Sequence, residues 1–332
     1  MQKETRGVHF LPISVTHPIT PNEARGTSPG RFVLDAIAQN GVDLADGDVV
    51  VVSSKIVSLF EGRTILLRDV APSVKARVLG FVFRKDARKF ELLRREGRAA
   101  AVIPLGRISR SKQARRMLES LARDEEEIRT ALKLGSKFEY LTYKHAAYNP
   151  EAGIDIMNSP DGYVSLLPVD PCASARGIGV AIEKEAGKRV AVLVTDTIAP
   201  LGRVGTVDVA IGFSGLVPFE QKLFERDLFG DLRPGSRNLV IDAVAGAAGG
   251  ILGQPTEMTP IAIARGVSFV SEPHEGGRFT MADVGYPPGV FGRSAIGVAA
   301  CTILFWLLDL IPSSTARERR GRRSGPGQTS LG

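Results

Sequence analysis

Cysteine and tryptophan are nearly missing from this sequence: 332 residues hold two Cys and one Trp. Cys172 and Cys301 are too few for a disulfide framework and show no metal-type spacing. A reducing compartment is therefore expected. The four histidines, His9, His17, His145 and His274, are scattered, so no His–Cys metal set is expected. The opening "MQKETRGVHFLP" lacks an apolar leader core, which predicts a cytoplasmic protein. Neither G-x-x-x-x-G-K-[ST] nor a G-x-G-x-x-G after a strand occurs, which excludes the standard phosphate loops. No repeat of fixed period is visible. Aromatics make up only 6% of the chain and none interleaves its basic tail. A stacking platform for bases is thus unsupported, and nucleic acid is not an expected partner.

What is present is globular: 43% hydrophobic and 24% charged residues, in a length that suits one large or two closely joined domains. The 36 Gly and 20 Pro imply many turns. The net charge of +7 is uneven, since "RERRGRR" at 317–323 alone supplies +4 from five Arg and one Glu. A second basic run lies between Arg84 and Arg116, followed by "DEEE" at 124–127. Such runs attract anionic surfaces, although a solvated helix face and a frayed tail are the plainer reading. "AIGVAACTILFWLLDLI" at 295–311 is the most apolar stretch and holds one charge, Asp309. It reaches the short edge of a membrane-spanning helix, with Trp306 near its end and arginines beyond. A buried C-terminal helix fits equally well, and Asp309 favours it.

"GDVVVVSSKIV" at 47–57, "KRVAVLVTDT" at 188–197, "VDVAIGFSG" at 207–215 and "TPIAIARGV" at 259–267 read as buried strands. The first should end in a polar Ser-Ser-Lys segment. Helical patterning is expected from Ser73 to Leu134, and a close-packing helix over the small-residue stretch "LVIDAVAGAAGGILG" at 239–253. "PEAGIDIMNS" at 150–159 sits in no regular element on either side. Strands and helices mix without a steady βαβ rhythm, so the fold class is α+β with a mixed sheet, or an irregular α/β.

Polar groups gather where these strands end, which is where sites are usually built. "SSK" offers Ser54 and Lys55; "GIDIMN" offers Asp155 and Asn158; "TDT" offers Asp196 and Thr197; "GQPTE" offers Gln254, Thr256 and Glu257. Apart from the lysine these are oxygen donors, which suit Mg²⁺ or Mn²⁺ rather than Zn²⁺. Magnesium commonly bridges one or two carboxylates to phosphates, so the set suggests a nucleotide. Each Asp taken singly could equally be a turn or helix cap.

Taken in order, "GDVVVVSSKIVSLFEGR", "EAGIDIMN", "SLLPVDPCASA", "VAVLVTDT", "VDVAIGFSG", "ERDLFGDL" and "ILGQPTEMTPIAIARG" resemble the coenzyme F-420:L-glutamate ligase family, across about residues 8–267. That resemblance implies a dimeric α+β fold. It also implies GTP-dependent joining of L-glutamate to the carboxylate of a deazaflavin phospholactate precursor, with two Mg²⁺ or Mn²⁺ sites and a monovalent cation such as K⁺. By position it implies that Asp155 and Asp196 hold the first metal and that Thr197 and Gln254 hold the second. Asn158, Ser54, Lys55, Arg203 and the stretch containing Leu252, Gly253, Pro255, Thr256 and Glu257 fall at nucleotide contacts. The segment His17 to Thr20 falls near another.

The chain departs from the family pattern at Leu59 and Pro200, where cations are usual, and at Glu151 and Ala243. An insertion of about 30 residues precedes "AGID" and carries the basic run. Each lost phosphate contact can cost about 1.5–3 kcal/mol. The expected organisation is a ligase-like domain over 1–267 with a basic helical insertion at about 84–135, a linker at 268–294, the apolar helix at 295–311 and a basic tail at 312–332. An impaired family member acting as a membrane-associated or partner-binding protein is the alternative.

Overall fold

The computed structural model describes residues 7–97, 99–103, 106, 111–134, 138–200, 203, 205–221, 224–232, 237–267 and 279–285. All lie in one compact unit, Met1–Gly285. The apolar stretch 295–311, the basic tail and most of the expected linker fall outside the described residues. Among the described residues no helix is long and apolar enough to cross a membrane.

The strands are β1 (His9–Ile13), β2 (Val49–Ser53), β3 (Thr64–Leu66), β4 (Ala99–Ile103), β5 (Glu139–Lys144), β6 (Ala147–Pro150), β7 (Tyr163–Ser165), β8 (Ala191–Ile198), β9 (Val207–Ser214), β10 (Phe219–Gln221), β11 (Arg237–Leu239) and β12 (Ile261–Arg265). The helices are α1 (Pro29–Gln39), α2 (Ser54–Phe60), α3 (Val74–Phe83), α4 (Ala87–Glu96), α5 (Lys112–Leu121), α6 (Glu125–Leu134), α7 (Pro171–Ala186), α8 (Val240–Leu252) and α9 (Met281–Val284).

A mixed five-stranded sheet in the order β1-β12-β2-β8-β9 forms the centre, and only its β2–β8 pair is parallel. The four-valine run explains itself here, because a strand covered on both faces reads as continuously apolar. Val50 and Val52 pack with Ile178 and Ile182 of α7 and Val33 and Ile37 of α1. Val49 and Val51 point the other way, onto Ile241, Val244, Ala245 and Ala248 of α8. The result is a sheet sandwiched between helices. Helix α7 begins where Asp170 accepts the Ala173 N–H at 2.9 Å and ends at left-handed Gly187.

The sheet is closed at its base by an ion pair between a buried carboxylate and a partly exposed guanidinium. Asp48 is 1% exposed and takes both prongs of the Arg265 guanidinium, at 2.9 and 2.7 Å. The pair ties the turn before β2 to the end of β12. We expect Arg265→Lys to cost about 1–2 kcal/mol, because an ammonium cannot reproduce the two-pronged contact. Urea unfolding of the two proteins checks this.

The helical expectation for Ser73 to Leu134 is corrected in one place. Helices α3, α4, α5 and α6 are there, but β4 breaks the run by pairing antiparallel with β5. Alanine's helix preference in "AAAVI" gives way to sheet pairing, since such propensities are weak priors. The strand reading of "SSKIV" is also shortened: β2 stops at Ser53 and Ser54 opens α2. "PEAGIDIMNS", expected to have no regular neighbour, runs straight out of β6. It passes a 3₁₀ turn whose Glu151, Ala152 and Gly153 all have positive φ. A Cβ on Gly153 would lie 2.5 Å from Leu167, so only glycine fits there. The turn delivers Asp155 to Ser165, with which it exchanges backbone hydrogen bonds of 2.9 and 2.8 Å.

Candidate functional site

Because β2 and β8 are parallel, their ends lie side by side, with Ser53 opposite Thr195. Outside the C-terminal ends of parallel strands is the usual place for a ligand crevice. A bulge between Val194 and Thr195 shifts the register against β9, so that Thr195 faces Ala210 and Asp196 faces Val209. Bulges re-aim the side chains that follow them. Across the regular β2–β8 pair, the Ser54 hydroxyl donates to the Asp196 Oδ1 at 2.8 Å.

At the second residue of α2, the Lys55 ammonium sits 2.5 Å from Asp155 Oδ2 and also donates to the Met157 carbonyl. The other Asp155 oxygen accepts the Met157 N–H at 2.8 Å, an Asx turn that fixes the carboxylate. Asn158, with φ of 50°, donates its amide N–H to the Gln254 carbonyl at 2.8 Å. Gln254 in turn reaches Thr206 at 3.2 Å and Thr197 at 3.4 Å. The Thr197 hydroxyl donates to Asp208 at 2.7 Å. Three segments far apart in sequence, at 54–55, 155–158 and 196–197, thus meet the loop after α8.

The electrostatics are those of an acidic recess. Burial pushes Asp196 up to about 6, against the Ser54 hydrogen bond, and the Asp155 and Asp208 charges add to the rise. Burial also raises Asp208, opposed by its bond from Thr197, and raises Asp242, opposed by the Ala210 N–H. No three His, Cys, Asp or Glu side chains cluster tightly enough among the described residues to cage an ion by themselves. Two carboxylates, a hydroxyl and an amide do fit a hard divalent cation that completes its shell with phosphate and water. Asp196 is raised chiefly by burial, and a cation bound beside it would favour its charged form.

A model of the F420-0:Gamma-glutamyl ligase family matches residues 21–266, which include all of these groups. The chain belongs to this family. It is similar to the coenzyme F420:L-glutamate ligase of Methanothermobacter thermautotrophicus, at 30% identity over 77% of this chain and 90% of that protein. Against the enzyme of the same name from Methanopyrus kandleri it is 31% identical over 79% of this chain and 92% of that protein. The Archaeoglobus fulgidus enzyme of that name is 28% identical over 72% of this chain and 83% of its own length.

Not every residue expected at this family site projects into the cluster. Leu252 ends α8 with its side chain in the core. Gly253 has φ of 66°, and Glu257 folds back over it to accept the Thr256 N–H at 2.9 Å. Pro255 completes that closed loop. Arg203 turns back to Pro200, its N–H donating to the Pro200 carbonyl at 3.2 Å, and no side-chain contact ties it to the cluster among the described residues. In the 17–20 segment, His17 and Thr20 both bind Glu23 locally, at 3.3 and 2.7 Å. Leu59 follows Lys55 by four residues, on the same face of α2. It lines a cleft of about 670 Å³ with Phe60, Tyr163, Arg25 and Arg95. Asp208 and Thr206 were missed in sequence. The signal for Asp208 was a lone carboxylate inside an apolar strand.

Proposed function

We propose that this chain is a ligase that forms an amide between the amine of L-glutamate and a carboxylate of a coenzyme F-420 precursor, with GTP as phosphoryl donor. What supports this reading most is the convergence of Ser54, Lys55, Asp155, Asn158, Asp196, Thr197 and Gln254 at one end of the sheet. Family membership supplies the substrate class.

A carboxylate is a poor acyl donor, because its leaving group would be oxide. Transfer of the γ-phosphoryl group to a carboxylate oxygen gives an acyl phosphate and GDP. The glutamate nitrogen then attacks the acyl carbon, and phosphate departs with the C–O bond electrons. Positioning and charge neutralisation account for most of the acceleration in such chemistry. Asp155 and Asp196 would hold one divalent cation, and Thr197 and Gln254 a second. Bound there, the cations would neutralise phosphate charge. Lys55 adds a fixed ammonium beside the same carboxylate. Ser54, Asn158 and the 253–257 loop would line the nucleotide. The cleft at Leu59 sets Arg25, Arg95 and the rings of Phe60 and Tyr163 beside the carboxylates of Glu61 and Asp69, so its lining is aromatic and of mixed charge.

Calorimetric titration of GTP into the full chain, with and without Mn²⁺, tests the reading. Binding is expected only with Mn²⁺, followed by GDP release that requires both glutamate and the deazaflavin acid. Equal binding without metal would count against the metal roles, and no glutamate dependence would count against the reaction.

A further inference from the structure

We propose that α3 is a docking face for an anionic phospholipid surface. Its outward side is apolar where a soluble helix is normally polar. Val74, Val78, Phe81 and Val82 recur at i, i+4, i+7 and i+8 and are 78, 56, 87 and 59% exposed. They form one contiguous stripe, flanked by Lys75 on one side and Arg77 and Arg84 on the other. These three cations are exposed, and none is ion-paired among the described residues.

The helix cannot roll to hide the stripe, because its inner face is already filled. Ala76 is fully buried in a cluster with Phe90 and Tyr140. Phe83 stacks edge-on against Phe138 and Tyr140 at 5.2 and 5.5 Å. A Cβ on Gly80 would come within 2.8 Å of the Lys85 carbonyl, so α3 sits tight against the start of α4. Arg84 takes a left-handed conformation to make that corner, and Lys85 is clamped by Glu151.

Apolar side chains bordered by cations match the chemistry of an anionic bilayer surface, where acyl boundary lies beneath negative headgroups. The same borders argue against a second copy of this face, since apposed stripes would bring like charges together. One short helix gives weak, reversible attachment, so the binding should need both apolar insertion and charge, and should weaken with salt.

The test is flotation of the full chain with vesicles of phosphatidylcholine containing one-third phosphatidylglycerol, beside pure phosphatidylcholine vesicles. The wild type is expected to float with the anionic vesicles only, and less at high salt. Phe81→Glu with Val82→Glu should lower the bound fraction about tenfold or more. Both residues are exposed, so the thermal midpoint should not move. Lys75→Glu with Arg77→Glu should weaken binding in the same way. Failure of the wild type to float would overturn the proposal. Undiminished flotation of the Phe81/Val82 variant would place the lipid contact elsewhere and overturn it equally. A fall in sedimenting mass in that variant, without vesicle binding by the wild type, would assign the stripe to self-association instead.

Discussion

Asp196→Asn is expected to lower glutamate-dependent GDP release by about 10²–10³-fold while leaving the protein folded. The loss follows from removing one of the two carboxylates that would hold a cation at the proposed nucleotide site. The fold should survive because the amide keeps the Ser54 contact, and because the buried charge is a burden to the metal-free protein. The carboxyl pKa is raised in the folded state, to about 6, chiefly by burial. The folded chain therefore holds its proton more tightly than the unfolded one. The stability this contributes is complete below the unfolded value of 3.8 and is lost as pH rises through about 6. Metal-free wild type should thus lose thermal stability across that window, and Asp196→Asn should not. Mn²⁺ should restore stability to the wild type above pH about 6, where the carboxylate is bare, and do little for the variant. Thermal scans against pH, with chelator and with Mn²⁺, read all of this. A variant that keeps the full Mn²⁺ shift would show that Asp196 is not a metal ligand.

Much of that site could be read before any strands were paired. The valine run, "VAVLV" and "IAIAR" announce strands buried on both faces, and a polar cluster directly after such a strand is a site signal. Composition also narrows what a proposed metal could be, since scattered histidines and two cysteines leave oxygen donors at these strand ends. What could not be read depends on register. Thr197 meets Asp208 only because β8 and β9 pair with a bulge at Val194, and a shift of one residue would turn both to other faces. The Asp155–Ser165 bridge and the Lys55–Asp155 contact join positions about a hundred residues apart or set by a turn of consecutive positive φ values. Strand β4 was hidden for the opposite reason: its own residues favour helix, and only its partner β5 makes it a strand. The exposed stripe on α3 was also invisible, because valines and phenylalanines at helical spacing ordinarily mark a buried face.

The register behind the site makes a second large effect predictable, at a residue that touches no substrate. Gly212 lies opposite Val194, at the edge of the bulge in which Ile211 is the extra residue of β9. A Cβ there would stand 2.4 Å from the carbonyl carbon and the Cβ of Pro171 and 2.6 Å from its carbonyl oxygen. That neighbour is the first turn of α7, which cannot retreat easily. Asp170 caps it, and Ser174 binds both the Asp170 carbonyl and Glu61, at 3.0 and 2.5 Å. Gly212→Ala should therefore cost about 3 kcal/mol or more, a fall in melting temperature of roughly 5–10 °C. It should also blunt metal-dependent GTP binding, because any shift of β9 moves the Asp208 that fixes Thr197. Two adjacent glycines in α8 separate this steric cause from a general cost of losing glycine. At Gly250 a new Cβ meets nothing within 4 Å, so Gly250→Ala should be neutral or stabilise by up to about 1 kcal/mol through helix propensity. At Gly249 it meets the Asp208 carboxyl carbon at 2.8 Å and its Cβ at 2.9 Å, so rotating the carboxylate away relieves only part of the clash and β9 must give slightly. Gly249→Ala should then cost about 1–2 kcal/mol, less than Gly212→Ala, yet lose Mn²⁺-dependent GTP binding with it. Equal melting temperatures for the Gly212 and Gly250 variants would mean that the seat of α7 on β9 is looser than the distances require.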